Sequence, residues 1–206
     1  MSAPEWNLLQ AIALASLLAW ASGLRLYLLI FVLGIAAQQG LITLPPGLQV
    51  LSHPYVVGAS GVLLAVEFFA DKIPGIDSAW DAIHTFIRIP AGALLAAGVA
   101  GDDLGAITIA AGLLGGTITA GTHFAKAGGR AMINTSPEPF SNWVASFTED
   151  AVVLGGIWIA IQHPIAFLAA LATFLVLAAW FLVRFARLAA RWLSGRSGGA
   201  TRAGVR

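Results

Sequence analysis

The chain has 206 residues, 58 % of them hydrophobic and 10 % charged, with a mean hydropathy of +0.84 and a formal net charge of +1. That composition belongs with integral membrane proteins and gives no argument for nucleic-acid binding. Cysteine is absent, which excludes disulfides, thiolate metal sites and cysteine nucleophiles.

The opening stretch MSAPEWNLLQ carries neither a basic region nor a small-residue cleavage site. It is expected to be retained as the start of a first span, not removed as a signal peptide. Crossing a bilayer core as helix takes about 20 apolar residues. Apolar segments run at roughly 8–38, 55–70, 79–101, 104–126, 139–162 and 164–186. The expected fold is all-α: a polytopic membrane protein of about six transmembrane helices. It forms a single transmembrane domain over 1–186, followed by a basic, disordered tail over 187–206.

The first segment is too long for an upright span and is interrupted by ASGLR, so it is expected to tilt, kink or break. It also holds Arg25 near its middle, where an arginine costs about 2.5–3.5 kcal/mol on insertion scales. Arg25 should therefore face the bundle interior and meet a carboxylate, with Glu67, Glu149 and Asp150 as candidates. The connector 41–54 is turn-rich, and Pro45, Pro46 and Gly47 are unsuited to helix. The connections at 101–103 and 162–164 are very short, as between neighbouring antiparallel helices.

With six spans, the connectors 39–54, 102–103 and 162–164 share one side and contain no Lys or Arg. The other side receives Lys72, Arg88, Lys126, Arg130 and the arginines from Arg184 to Arg206. Basic residues mark the cytoplasmic side, so both termini are expected there. Five spans would put basic loops on both sides. In the last segment Arg184, Arg187 and Arg191 share a face, which suits a stop-transfer anchor against anionic lipid.

Two polar segments resemble each other. Each follows a Phe-Ala pair, Phe69-Ala70 and Phe124-Ala125, and continues through a charged turn into the next span, about 55–57 residues apart. The regions 55–101 and 104–162 thus read as a pseudo-repeated pair of amphipathic hairpins on the cytoplasmic side. In the first, Asp77, Asp81, His84 and Arg88 fall at i, i+4, i+7 and i+11 on one helix face, opposite Trp80, Ile83 and Ile87. Asp77 or Ser78 is the expected N-cap. Such a stripe also suits a helix lying at the headgroups. Asp77, Asp81 and His84 have the residue types of a divalent-metal site, a pattern that salt-bridged helices equally produce. No metal or cofactor is expected.

In the second segment Ser136 is expected to cap a helix with Pro137 or Pro139 in its first turn and Glu138 near its positive end. Asn142, Ser146, Glu149 and Val153 then share a face, and Glu149 and Asp150 lie too deep for solvated surface. On the preceding helix His123, Lys126 and Arg130 follow at i, i+3 and i+7, so cationic and anionic faces are expected to meet. Lys126, Arg130, Asn134 and Ser136 have the chemistry to cradle a phosphate or carboxylate. Gly112, Gly116 and Ala120 form a small-residue packing face.

The segments ADKIPGIDSAWDAIHTFIRIPAGAL and KAGGRAMINTSPEPFSNWVASFTED together resemble the bacterial membrane-protein family known as domain of unknown function 4126. The resemblance covers about 8–186 and rests most on Asn-Thr-Ser-Pro-Glu-Pro. It implies a small polytopic protein of a bacterial inner membrane and supplies no activity.

No Ser-His-Asp order, Walker loop, GxGxxG or HExxH is present. The leading expectation is a transporter or permease for a small polar or anionic solute, proton- or cation-coupled. Its pathway candidates are Arg25, Glu67, Asp71, Lys126, Arg130, Asn134, Asn142, Glu149 and Asp150. A homo-oligomer fits the same expectation. The rivals are a non-catalytic membrane scaffold and an enzyme acting on lipid head groups through Asp77, Asp81 and His84.

Overall fold

The computed structural model describes residues 7–73, 75–101, 105–135 and 140–200, with side chains through 188. Its regular elements are all helices, with no strand among the described residues. The helices are α1 (Leu8–Gln38), a 3-10 helix (Pro46–Ser52), α2 (Pro54–Ala70), α3 (Ile76–Ala100), α4 (Ala106–Ile133), α5 (Phe140–Gln162) and α6 (Pro164–Ala200). The expected cap at Ser136 with Glu138, the acidic turn at Asp102 and Asp103, the Arg191 side chain and the last residues of the tail lie outside the described residues.

α1 is the axis of the bundle. Of its apolar window 78 % is buried, against 17–28 % for the other four long apolar helices, and it packs against every other helix. Its start is fixed by a capping box: Asn7 Oδ1 accepts from Gln10 N at 2.8 Å, and Gln10 Oε1 accepts from Asn7 N at 3.2 Å. Its helix is broken at Arg25, where φ is −143° and ψ 70°. The sequence placed an interruption there.

α1, α3, α4, α5 and α6 are each long and apolar enough to cross a membrane, consistent with a multi-pass protein. α2 differs. At 17 residues it spans about 25 Å, short of a bilayer core, because Pro54 begins it and the chain before Pro54 turns away by 64°. The 41–54 connector is also more regular than its prolines suggest. Pro46 occupies the first turn of the 3-10 helix, where its missing N–H costs nothing.

α3 is turned inside out relative to a helix of a water-soluble fold. Ile83 (63 % exposed), Phe86 (83 %) and Leu94 (73 %) face outward from α3, while Asp77, Asp81, His84 and Arg88 on the same helix are buried. The charged stripe therefore points into the bundle, not toward headgroups. Gly75, with φ 88°, precedes α3 and takes the N-cap position expected of Asp77 or Ser78. Asp77 instead lies in the first turn, where its Oδ1 accepts from Gly75 N (2.9 Å) and Ser78 N (2.6 Å).

Small residues bring the central helices together. Gly115 and Gly116 face Ala96, Gly92 and Ala93 of α3, and Gly112 lies over Ala93 and Ala97. The contact uses Gly115 and Thr119 in addition to the predicted Gly112 and Gly116. Thr119 Oγ1 is placed between Ala19 O (2.7 Å) and Gly115 O (2.8 Å), joining α4 to α1. Gly23 allows this approach: a Cβ there would stand 2.7 Å from Thr119 O and 2.9 Å from His123 N.

Candidate functional site

The break in α1 aims Arg25 at the acids of two other segments, α2 with its C-terminal end and α5. Its Nη1 pairs with Asp71 Oδ2 and lies 3.9 Å from Glu67 Oε1. Nη2 donates to Ser146 O at 3.0 Å and Ser146 Oγ at 2.7 Å. Nε stands 2.8 Å from Asp150 Oδ1 and 3.4 Å from Glu149 Oε2, without hydrogen-bond alignment to Asp150. All three expected carboxylates are present, and Asp71, which ends α2, is the nearest.

Three more cations extend this centre. Arg88 pairs with Glu67 through Nη2 and donates from Nη1 to Asp81 Oδ1 at 2.9 Å. Arg130 holds Glu149 in a fork, Nε to Oε1 and Nη2 to Oε2 both at 3.0 Å, the bidentate geometry that only a guanidinium offers. Its Nη1 donates to Asn142 O (3.1 Å), Asn142 Oδ1 (3.2 Å) and Asp71 O (3.3 Å). Lys126 donates to Leu24 O at 3.1 Å, beside the break in α1. Four cations, Arg25, Arg88, Lys126 and Arg130, thus face five carboxylates, Glu67, Asp71, Asp81, Glu149 and Asp150. Lys72, which acts electrostatically on both Asp71 and Asp150, brings the cations to five.

Burial is uneven across the network. The side chains of Glu67 and Asp71 are fully buried and Asp81 is 3 % exposed, whereas Glu149 keeps 16 % and Asp150 22 %. Fully buried ion pairs survive because each partner offsets the other's desolvation.

Around the network lie hydrogen-bonded partners that tie helix ends together. Asn134, at the end of α4, donates to Asp77 Oδ1 and Oδ2 at 2.9 Å, and its own Oδ1 accepts from Asn142 Nδ2 at 2.7 Å. One amide thus ties the start of α3 to the start of α5. His84 Nδ1 lies 2.8 Å from Trp80 O; a carbonyl only accepts, so Nδ1 carries the hydrogen. With the imidazole neutral, Nε2 accepts from the Tyr27 hydroxyl at 3.0 Å. Thr85 Oγ1 donates to Asp81 O (3.0 Å) and accepts from His123 Nε2 (2.7 Å).

Lys72, in the α2–α3 connector, donates to Phe68 O at 3.0 Å and lies over the Phe68 ring, 2.9 Å from its centroid. Burial first, then the charge of Arg25, lowers its ammonium below the usual lysine value of 10.5. The ring face recovers part of that cost.

Asp77, Asp81 and His84 share a helix face yet serve different partners: Asn134, Arg88 and Tyr27 respectively. Among the described residues no group of three His, Asp or Glu side chains is arranged to hold a metal ion. Lys126 and Arg130 are directed at carboxylates of the protein itself, and Asn134 at Asp77. Sequence reasoning missed Tyr27 and Thr85. Thr85 directly follows His84 in the stripe, whereas a lone Tyr27 in an oily run gives no signal of its own.

The family model described as Domain of unknown function (DUF4126) matches residues 12–184. No curated protein and no solved structure matches the chain.

Proposed function

We propose that the chain, which belongs to the family described as Domain of unknown function (DUF4126), is a membrane transporter or permease for a small polar solute. The buried ion-pair network is its coupling site for a proton or small cation. One observation carries this: in an ion-pair network whose Glu67 and Asp71 are fully buried, the acids of α5 keep 16 % and 22 % exposure. An acid of such a network that keeps contact with the outside is where a proton or cation exchanges. A helix broken beside a buried ionic site is also the recurrent device of ion-coupled transporters. An anionic solute fits this network less well, since Arg25, Lys126 and Arg130 spend their donors on protein acids.

In this proposal six spans cross a bacterial inner membrane, the 3-10 helix and α2 together forming one bent span. Both termini are cytoplasmic, and the network occupies the cytoplasmic half, as the distribution of Lys and Arg supports. α2–α3 and α4–α5 act as pseudo-equivalent hairpins. Their buried stripes share a spacing of i, i+7 and i+11, with Ser60, Glu67 and Asp71 on α2 and Thr119, Lys126 and Arg130 on α4. The acidic stripe of one answers the basic stripe of the other. Arg184 and Arg187 engage anionic lipid, and the chain pairs with a second copy.

The test is proton flux into proteoliposomes carrying a pH-sensitive dye, driven by an imposed sodium or potassium gradient. Asp150→Asn should abolish flux while the protein stays folded; normal flux in that variant removes Asp150 from the mechanism. A scaffold makes the opposite prediction, that charge changes at Arg184 and Arg187 impair function more than Arg25→Ala does.

A further inference from the structure

Lys126 Nζ occupies a point where four other helical segments supply oxygen. Leu24 O of α1 accepts its hydrogen bond at 3.1 Å. Glu149 Oε2 of α5 lies at 3.4 Å and Asp81 Oδ1 of α3 at 3.5 Å. Asp71 Oδ2 and Glu67 Oε1, from α2 and its C-terminal end, lie at 3.6 and 3.9 Å. An ammonium has three donors, and Leu24 O takes the one aligned bond. The four carboxylates surround the charge at a distance. Glu67 Oε2, Asp71 Oδ1 and Asp81 Oδ2 are buried and accept no hydrogen bond. The carboxylate oxygens nearest Lys126 also pair with Arg25, Arg88 and Arg130, while three of these carboxylates keep a second oxygen without a donor. Oxygens converging from separate helices thus make a cage with room to regroup around a cation.

The size of the cage narrows the class of ion. Calcium takes oxygens at about 2.3–2.6 Å and magnesium at about 2.0–2.1 Å, whereas these oxygens stand 3.1–3.9 Å from the charge. That suits a large monovalent cation or one carrying N–H donors. A cleft of about 220 Å³ between α3 and α4, lined in part by Asp81, Thr85, His123 and Arg130, reaches the cage at Asp81.

We propose that these five oxygens form a binding site for a monovalent cation of ammonium or potassium size, that Lys126 is its tethered occupant, and that the two exchange there. One cation enters as the ammonium withdraws, and no bond is made or broken. The site supplies the chemical class of the coupling ion, and in that role it rests on the transport proposal above.

Two measurements test it. In Lys126→Ala the cage is left without its cation. Methylammonium at ten times its dissociation constant should raise the unfolding midpoint by about 3–6 °C, while tetramethylammonium at equal ionic strength should not. In the wild type, Lys72 and Lys126 are the only lysines, so reductive methylation read by peptide mass reports each separately. Potassium chloride should raise Lys126 reactivity several-fold and saturably over choline chloride, with Lys72 unchanged as the internal reference. Equal effects of the two ammonium ions on the Lys126→Ala midpoint, or of potassium and choline on Lys126 labelling, overturn the site. If Lys126→Ala does not fold, the wild-type labelling decides alone, and flat Lys126 reactivity overturns it. A flat response beside intact Asp150-dependent flux discards the cage and keeps transport. A responsive cage without flux keeps the site and discards transport.

Discussion

Arg25→Met retains the apolar stem and removes the guanidinium from a fully buried position. Asp71 loses its closest partner and Asp150 its 2.8 Å neighbour, and the two donors to Ser146 disappear. Removing one member of a buried pair costs about 3–5 kcal/mol, because the other charge is left uncompensated. Here the side chains of Glu67 and Asp71 have no solvent to turn to, so the upper part of that range, about 4–5 kcal/mol, applies. For a chain of this length each kcal/mol moves the midpoint by about 2–4 °C, giving a fall of about 8–20 °C. Tryptophan fluorescence during heating in mild detergent reads it. Adding Asp71→Asn removes the most exposed consequence, the stranded carboxylate, so the double variant should recover at least about 1 kcal/mol relative to additivity. A single variant that melts with the wild type, or a strictly additive double variant, would refute the claim that Arg25 holds these acids together.

Gly23→Ala should destabilise by about 1–3 kcal/mol, since two of the three atoms its Cβ meets are backbone of α4 and cannot swing aside. Gly121→Ala, with nothing within 4 Å, should instead gain up to about 1 kcal/mol of helix propensity; equal midpoints for the two would contradict the packing. Lys72 gives a pH signature. Unfolded, it keeps its proton until about 10.5; folded, it releases it earlier, so in that window the unfolded chain binds more protons and stability rises with pH. The wild type should therefore gain on Lys72→Met as pH climbs toward 10.5, and a constant difference would show that Lys72 is not depressed.

Much of the site was legible because helical spacing is rigid. Four polar residues at i, i+4, i+7 and i+11 on α3 must share a face, and in a chain this apolar that face turns inward. The same logic reached Glu149 on α5 and Lys126 with Arg130 on α4, and the cost of Arg25 in a membrane demanded acids. Legibility failed where position depends on chain reversal. Asp71 stood among the pathway candidates but not among the expected partners of Arg25, because it ends α2 and spacing along a helix says nothing of what lies beyond its last turn. The N-cap at Gly75 was hidden for a related reason: Asp77 is an excellent cap by type, but a positive φ decided the boundary two residues earlier. The apolar run 55–70 already had the length of α2; what it could not register was the 64° bend that sets α2 against the 3-10 helix. The three-way latch through Asn134 joins residues 57 and 8 positions away, a tertiary coincidence.

The central placement of α1 also imposes a time order on biogenesis. Arg25 is made early, yet Asp71 follows it by 46 residues and Ser146 by 121. At about 5–20 residues per second, the first partner arrives roughly 2–9 s later and the α5 partners roughly 6–24 s later. Throughout that interval the helix destined for the middle of the bundle carries an unpaired arginine against lipid or the insertion machinery. Residues that hasten the delivery of α2 thus bear on yield, quite apart from any effect on the finished fold. Lengthening the 3-10 connector should lower the amount of inserted protein before it lowers the melting point of what is inserted.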